Sequence, residues 1–129
     1  MLELYDQEIF LINVLREFDF LVKNGYIIVG ITIYSREVSV SYKNSNVSRS
    51  ITVSWTDSNL ITFTIYKLSS RFFQSKSNVI DLRDISDDRM LKCQVENNII
   101  EVIQAGKNIL KNKYMNIISG RGWKESLRS

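Results

Sequence analysis

The chain has 129 residues, one domain's worth of sequence and too little for two full cores. Its formal net charge is +3, and it contains no histidine, no proline and one cysteine. Without histidine, Ser-His-Asp and Cys-His catalysis, histidine acid–base chemistry and His-containing zinc sites are excluded. A single Cys93 excludes an intrachain disulfide framework.

The N-terminus, Met1-Leu2-Glu3-Leu4-Tyr5-Asp6, lacks the basic region of a secretory signal. No stretch approaches the roughly 18 uninterrupted apolar residues of a membrane span. The expectation is a cytoplasmic protein with no membrane association.

Residues 3–23 read as one amphipathic helix, with Leu4, Leu11, Val14, Leu15, Phe18, Leu21 and Val22 on an apolar stripe. Tyr5, Ile9 and Ile12 widen that stripe, which leaves room for a homodimer. Asn24-Gly25 supplies the stop. The period then changes from 3.6 to 2. Tyr26–Tyr34 reads as a strand rich in β-branched and aromatic residues, with Gly30 at a bulge or a close approach. Glu37–Lys43 alternates Val38, Val40 and Tyr42 with Ser39 and Ser41. Ser50–Thr56 places Ile51, Val53 and Trp55 inward, and Leu60–Leu68 does the same with Ile61, Phe63 and Ile65. Short turns between these runs predict an antiparallel meander of at least four strands.

In residues 69–93, Phe72-Phe73 reads as an anchor to the core, and Val79-Ile80-Asp81-Leu82 as either a short edge strand or a loop clip. From about Val95 a second helix carries Ile99, Val102, Ile103, Gly106, Ile109, Leu110, Ile117 and Ile118 on one side. Gly106 in that stripe predicts a close helix-to-sheet approach. Gly120 and Gly122 end the helix, and Trp123 is expected to fold the tail back. The assembled expectation is a single two-layer α+β domain over 1–129, an antiparallel meander covered on one face by an N-terminal and a C-terminal helix.

Candidate chemistry is sparse. Asp81, Asp84, Asp87 and Asp88 are oxygen donors of the kind hard cations take, but the spacing matches no loop motif, and Arg83 and Arg89 can neutralise them. Ser86 before Asp87-Asp88 fits a helix cap instead. Cys93 beside Lys92 has no base to make it a nucleophile. No G-x-S-x-G elbow, S-x-x-K pair or phosphate-cradling glycine loop occurs, so no enzyme activity, metal or cofactor is expected.

Two binding classes remain. Residues 71–129 hold eleven Lys/Arg against seven Asp/Glu, and Lys107, Lys111, Lys113, Arg121 and Lys124 concentrate near the end. These are the candidate binding residues for an acidic partner or nucleic acid, with Tyr34, Tyr66, Trp55 and Tyr114 as stacking candidates. A solvated helix end is the preferred account of the same cations, which suit the negative end of the helix dipole. The other class is protein recognition. A sheet face carrying Ser39, Ser41, Thr52, Ser54, Thr62, Thr64 and Tyr66, or an uncovered edge strand, can bind a protein without catalytic residues.

The layout resembles small bacterial immunity proteins, which neutralise a cognate toxin by binding it. The residues that carry the resemblance are Glu17-Phe18-Asp19-Phe20-Leu21-Val22 with Asn24-Gly25-Tyr26, then Arg36-Glu37-Val38-Ser39-Val40-Ser41-Tyr42, then Ile51-Thr52-Val53-Ser54-Trp55, and the late helix. It covers 4–66 and 95–118 as a pattern of elements, and it implies a non-enzymatic module with a toxin-like protein partner.

Overall fold

A computed structural model describes residues 4–56, 60–68, 78–85, 91, 94 and 98–123. Helices α1 (Leu4–Glu17) and α2 (Asp19–Lys23) lead into strands β1 (Ile27–Tyr34), β2 (Glu37–Asn44), β3 (Arg49–Thr56), β4 (Leu60–Lys67) and β5 (Val79–Asp81). Helices α3 (Leu82–Ile85), α4 (Ile99–Lys113) and α5 (Met115–Ile118) follow. The sheet is a five-stranded antiparallel meander in the order β1-β2-β3-β4-β5. Thus the Val79 segment is an edge strand, and its Ile80 lies beside Ile65.

Alternation decides the two faces. Val38, Val40 and Tyr42 of β2, Ile51, Val53 and Trp55 of β3, and Ile61, Phe63 and Ile65 of β4 are all buried beneath the helices. On the outer face Ser41, Thr52 and Thr64 are half-buried hydroxyl side chains in cross-strand register: Ser41 faces Thr52, which faces Thr64. Ser41 Oγ and Thr52 Oγ1 lie 3.0 Å apart. The helix layer has α1 packed on β2 and α4 packed on β4, with α1 and α4 also touching each other.

The N-terminal helix is not continuous, as its periodicity predicts, but breaks at Phe18. Its buried stripe is Phe10, Val14, Phe18 and Leu21, while Leu15 and Val22, expected inside, are exposed. The stripe is rotated because Phe10 takes the central place, against the Trp55 ring at 5.8 Å. Asn24-Gly25 stops the segment as expected. Gly25 takes φ +93°, and the amides of Gly25 and Tyr26 donate to the carbonyls of Val22 and Leu21.

The second helix begins at Ile99, four residues later than its periodicity suggests, because the Asn98 side chain accepts from the Ile100 amide. Gly106 meets the expectation of a close approach: a Cβ there would overlap the Phe63 ring. Gly120 ends α5 at φ +80°. Trp123 is buried under the Arg49 guanidinium, 4.9 Å from its ring centre. Residues 69–77, Ser86 to Met90, Lys92, Cys93 and Val95 lie outside the described residues, so Phe72-Phe73, Asp87, Asp88 and Arg89 do as well.

Candidate protein-binding edge

The first strand of a meander is an edge by topology, and among the described residues β1 pairs with β2 alone. An edge strand presents unpaired backbone N–H and C=O groups. Register assigns its side chains to faces: Ile28, Ile31 and Ile33 lie opposite Tyr42, Val40 and Val38, on the helix side. Ile27, Thr32 and Tyr34 lie opposite Lys43, Ser39 and Glu37, on the outer side. Between Ile28 and Gly30 the register shifts, leaving Val29 as the extra residue of a bulge. Gly30 therefore marks a bulge and not a close approach, since a Cβ there meets nothing within 4 Å.

The helix layer covers this strand only in part. Ile27 is 64% exposed, Ile28 42%, Val29 51%, Ile31 47%, Ile33 52% and Tyr34 67%. Val22 of α2, the helix packed on β1, and Leu15 of α1 add exposed apolar surface in the helix layer. Leu15 falls on the flank of α1 opposite Glu17, and Glu17 faces α4 through an ion pair with Lys107 at 3.7 Å.

The two edges of the sheet are treated differently. On the β4 side, β5 pairs with Thr64, Ile65 and Tyr66. Further along β4, the buried Gln94 side chain acts as one residue of a strand. Its amide nitrogen donates to the Ile61 carbonyl and its oxygen accepts from the Ile61 amide, both at 2.7 Å. Nothing comparable closes β1 among the described residues beyond Gln7, whose Nε2 donates to the Tyr34 carbonyl at 2.7 Å. Edge strands are ordinarily blunted by charges, proline or shortness, and β1 has eight residues with neither a charge nor a proline. Its bulge is the single such device among the described residues.

The candidate cations do not form one patch. Lys107 and Lys111 lie one turn apart on one flank of α4, and Lys113 projects from another, roughly 120° from Lys107 and 160° from Lys111 at about 100° per residue. Lys107 is engaged with Glu17. Arg121 lies beyond α5, where its Nε donates to Ser119 Oγ at 3.0 Å. Lys124 lies outside the described residues. The aromatic candidates are equally dispersed. Trp55 is buried in the core, Tyr114 packs against it, Tyr66 is half-buried on the outer face, and Tyr34 is exposed at the far end of β1.

Asp81 accepts from the Arg83 amide at 2.9 Å and pairs with the Arg83 guanidinium at 3.0 Å. That hydrogen bond pushes the Arg83 pKa further above its ordinary value. Asp84 is exposed on α3.

Four residues that composition and periodicity do not single out organise this arrangement: Gln7, Phe10, Arg49 and Gln94. Arg49 is buried and donates to the carbonyls of Ile117, Val47, Ser48 and Gly122, tying the end of the chain to β3. No helix among the described residues is long and apolar enough to cross a membrane. No protein-family model, curated protein or solved structure matches the chain.

Proposed function

We propose that this chain is a non-enzymatic, cytoplasmic protein-binding module that neutralises a cognate bacterial toxin by binding it, with β1 as its binding edge. The observation that carries the reading is the open strand: eight residues without a charge, with a continuous isoleucine row on the helix side and a backbone edge that no described strand pairs. Main-chain hydrogen bonds along such an edge supply affinity and the side-chain rows supply specificity, without any catalytic group. The resemblance of the helix–meander–helix layout to immunity proteins supports the toxin as the partner's class. Nucleic-acid binding through Lys107, Lys111, Lys113, Arg121 and Lys124 is the lesser reading, because α4 divides its lysines between two flanks.

Co-expression with the protein encoded beside this one tests the proposal. The expected result is a stoichiometric complex and restored growth of cells carrying that toxic neighbour, both lost with Ile31→Lys. A wild-type chain that neither binds nor protects, or that turns over a substrate, overturns it.

A further inference from the structure

We infer that in the free protein a second copy of the same chain occupies the β1 edge. The two β1 strands pair antiparallel about a two-fold axis, and two five-stranded sheets become one of ten strands. This rests on β1 being the protein-binding edge, and it names the occupant of that edge before any foreign partner arrives.

Three observations select a second copy. First, the strand is self-complementary in charge. None of the eight residues from Ile27 to Tyr34 is a lysine, arginine, aspartate or glutamate, and the nearest cations in sequence, Lys23 and Arg36, lie beyond its ends. Any two-fold register therefore sets uncharged, mostly apolar residues against one another, with no like charges inside the paired strands.

Second, the area fits. The exposed parts of Ile27, Ile28, Val29, Ile31, Ile33, Tyr34, Leu15 and Val22 amount to about four whole large residues. At roughly 150 Å² or more apiece this is on the order of 600 Å², before the backbone edge is added. A standard interface takes about 800 Å² per partner, and the largest apolar patch of a typical monomer is about 300–600 Å².

Third, the exposed helix-side row needs a cover that an isolated strand lacks. An extended peptide would pair with the backbone and leave Ile28, Ile31 and Ile33 uncovered from above. A second copy related by an axis normal to the sheet brings its own α1 and α2 to the same side, with Leu15 and Val22 facing the joined row. A foreign protein that uses this edge must then displace the second copy, so binding is coupled to dimer dissociation.

Light scattering on the full chain, from about 1 to 100 µM, tests the inference. The expected mass is twice the 15.0 kDa of one chain at the upper end, falling towards one chain on dilution. Ile31→Lys and Ile33→Lys, both at exposed positions and both checked for native circular dichroism, should each weaken association at least about a hundredfold. In a Cys93→Ser background, single cysteines placed at Gly30, Ile31 and Thr32 should give a covalent dimer on mild oxidation at the position nearest the axis. A cysteine at Thr62, on the outer face of β4, should give none.

A chain that is monomeric throughout this range overturns the inference, as does a dimer indifferent to both lysines. The toxin-binding reading fails by a separate route. A monomeric wild type that still protects cells through β1 sinks the dimer alone, and a β1 dimer that binds no neighbouring protein sinks the toxin reading alone.

Discussion

Tyr26 donates its hydroxyl to the Ile118 carbonyl at 2.6 Å, while the Tyr42 hydroxyl is buried with no hydrogen-bond partner among the described residues. Loss of the same atom should therefore have opposite effects. Tyr26→Phe leaves a buried carbonyl without its donor and should lower stability by about 1–2 kcal/mol, whereas Tyr42→Phe should be neutral or stabilising by up to about 1 kcal/mol. Burial pushes both phenols above their ordinary 10.0; Arg49 partly offsets this at Tyr26, and Asp19 adds to it at Tyr42. A raised folded value means that stability is fully present below about pH 10 and declines as pH rises beyond it, at about 1.4 kcal/mol per unit for each tyrosine. Urea midpoints at pH 8 and pH 11 should thus converge in Tyr42→Phe relative to the wild type. Arg49 makes a further case at this scale. Its fork reaches carbonyls from two parts of the chain, so Arg49→Ala should cost about 2–4 kcal/mol, and Arg49→Lys should recover only part of that in the same titration.

At the scale of elements, α4 lies on the sheet at the distance that a glycine allows. Gly106→Ala would gain helix propensity of about 1 kcal/mol but drive its methyl into the Phe63 ring; overpacking of about 1–3 kcal/mol wins. Thermal unfolding should show a lower midpoint, and Phe63→Leu in the same chain should restore part of it. Gln94→Leu removes both hydrogen bonds to Ile61 and should cost about 1–3 kcal/mol, with faster amide exchange confined to the Ile61 end of β4. These elements also show what a sequence discloses. The meander, the Asn24-Gly25 stop and the Gly106 approach were legible because each rests on a local pattern: period 2, a left-handed position, or a small residue in an apolar stripe. Gln94 was not legible, because a side chain standing in for a strand leaves no periodic trace. Neither was the exposure of β1, since Ile27-Ile28-Val29 reads like a buried strand and exposure depends on where α1 stops. One signal was present all the same. The first strand of a meander must be an edge, and a first strand without polar alternation must be apolar on both faces.

For the whole molecule, the cations and the apolar edge make opposite demands on salt. The chain carries +3, with its excess cations in the C-terminal half, so a dimer formed through β1 brings two like-charged bodies together over an uncharged seam. Screening reduces their mutual repulsion and slightly strengthens the hydrophobic contact. Raising sodium chloride from about 50 to about 500 mM should accordingly shift the dimer dissociation constant by less than about threefold, towards tighter association. Binding of an acidic polymer by Lys107, Lys111 and Lys113 would behave in the contrary way, losing about two to three powers of ten over the same range through counterion release. Sedimentation across that range separates the two, because the direction of the change is the readout. An association that weakens tenfold with salt would move the contact from β1 to the basic end of the molecule.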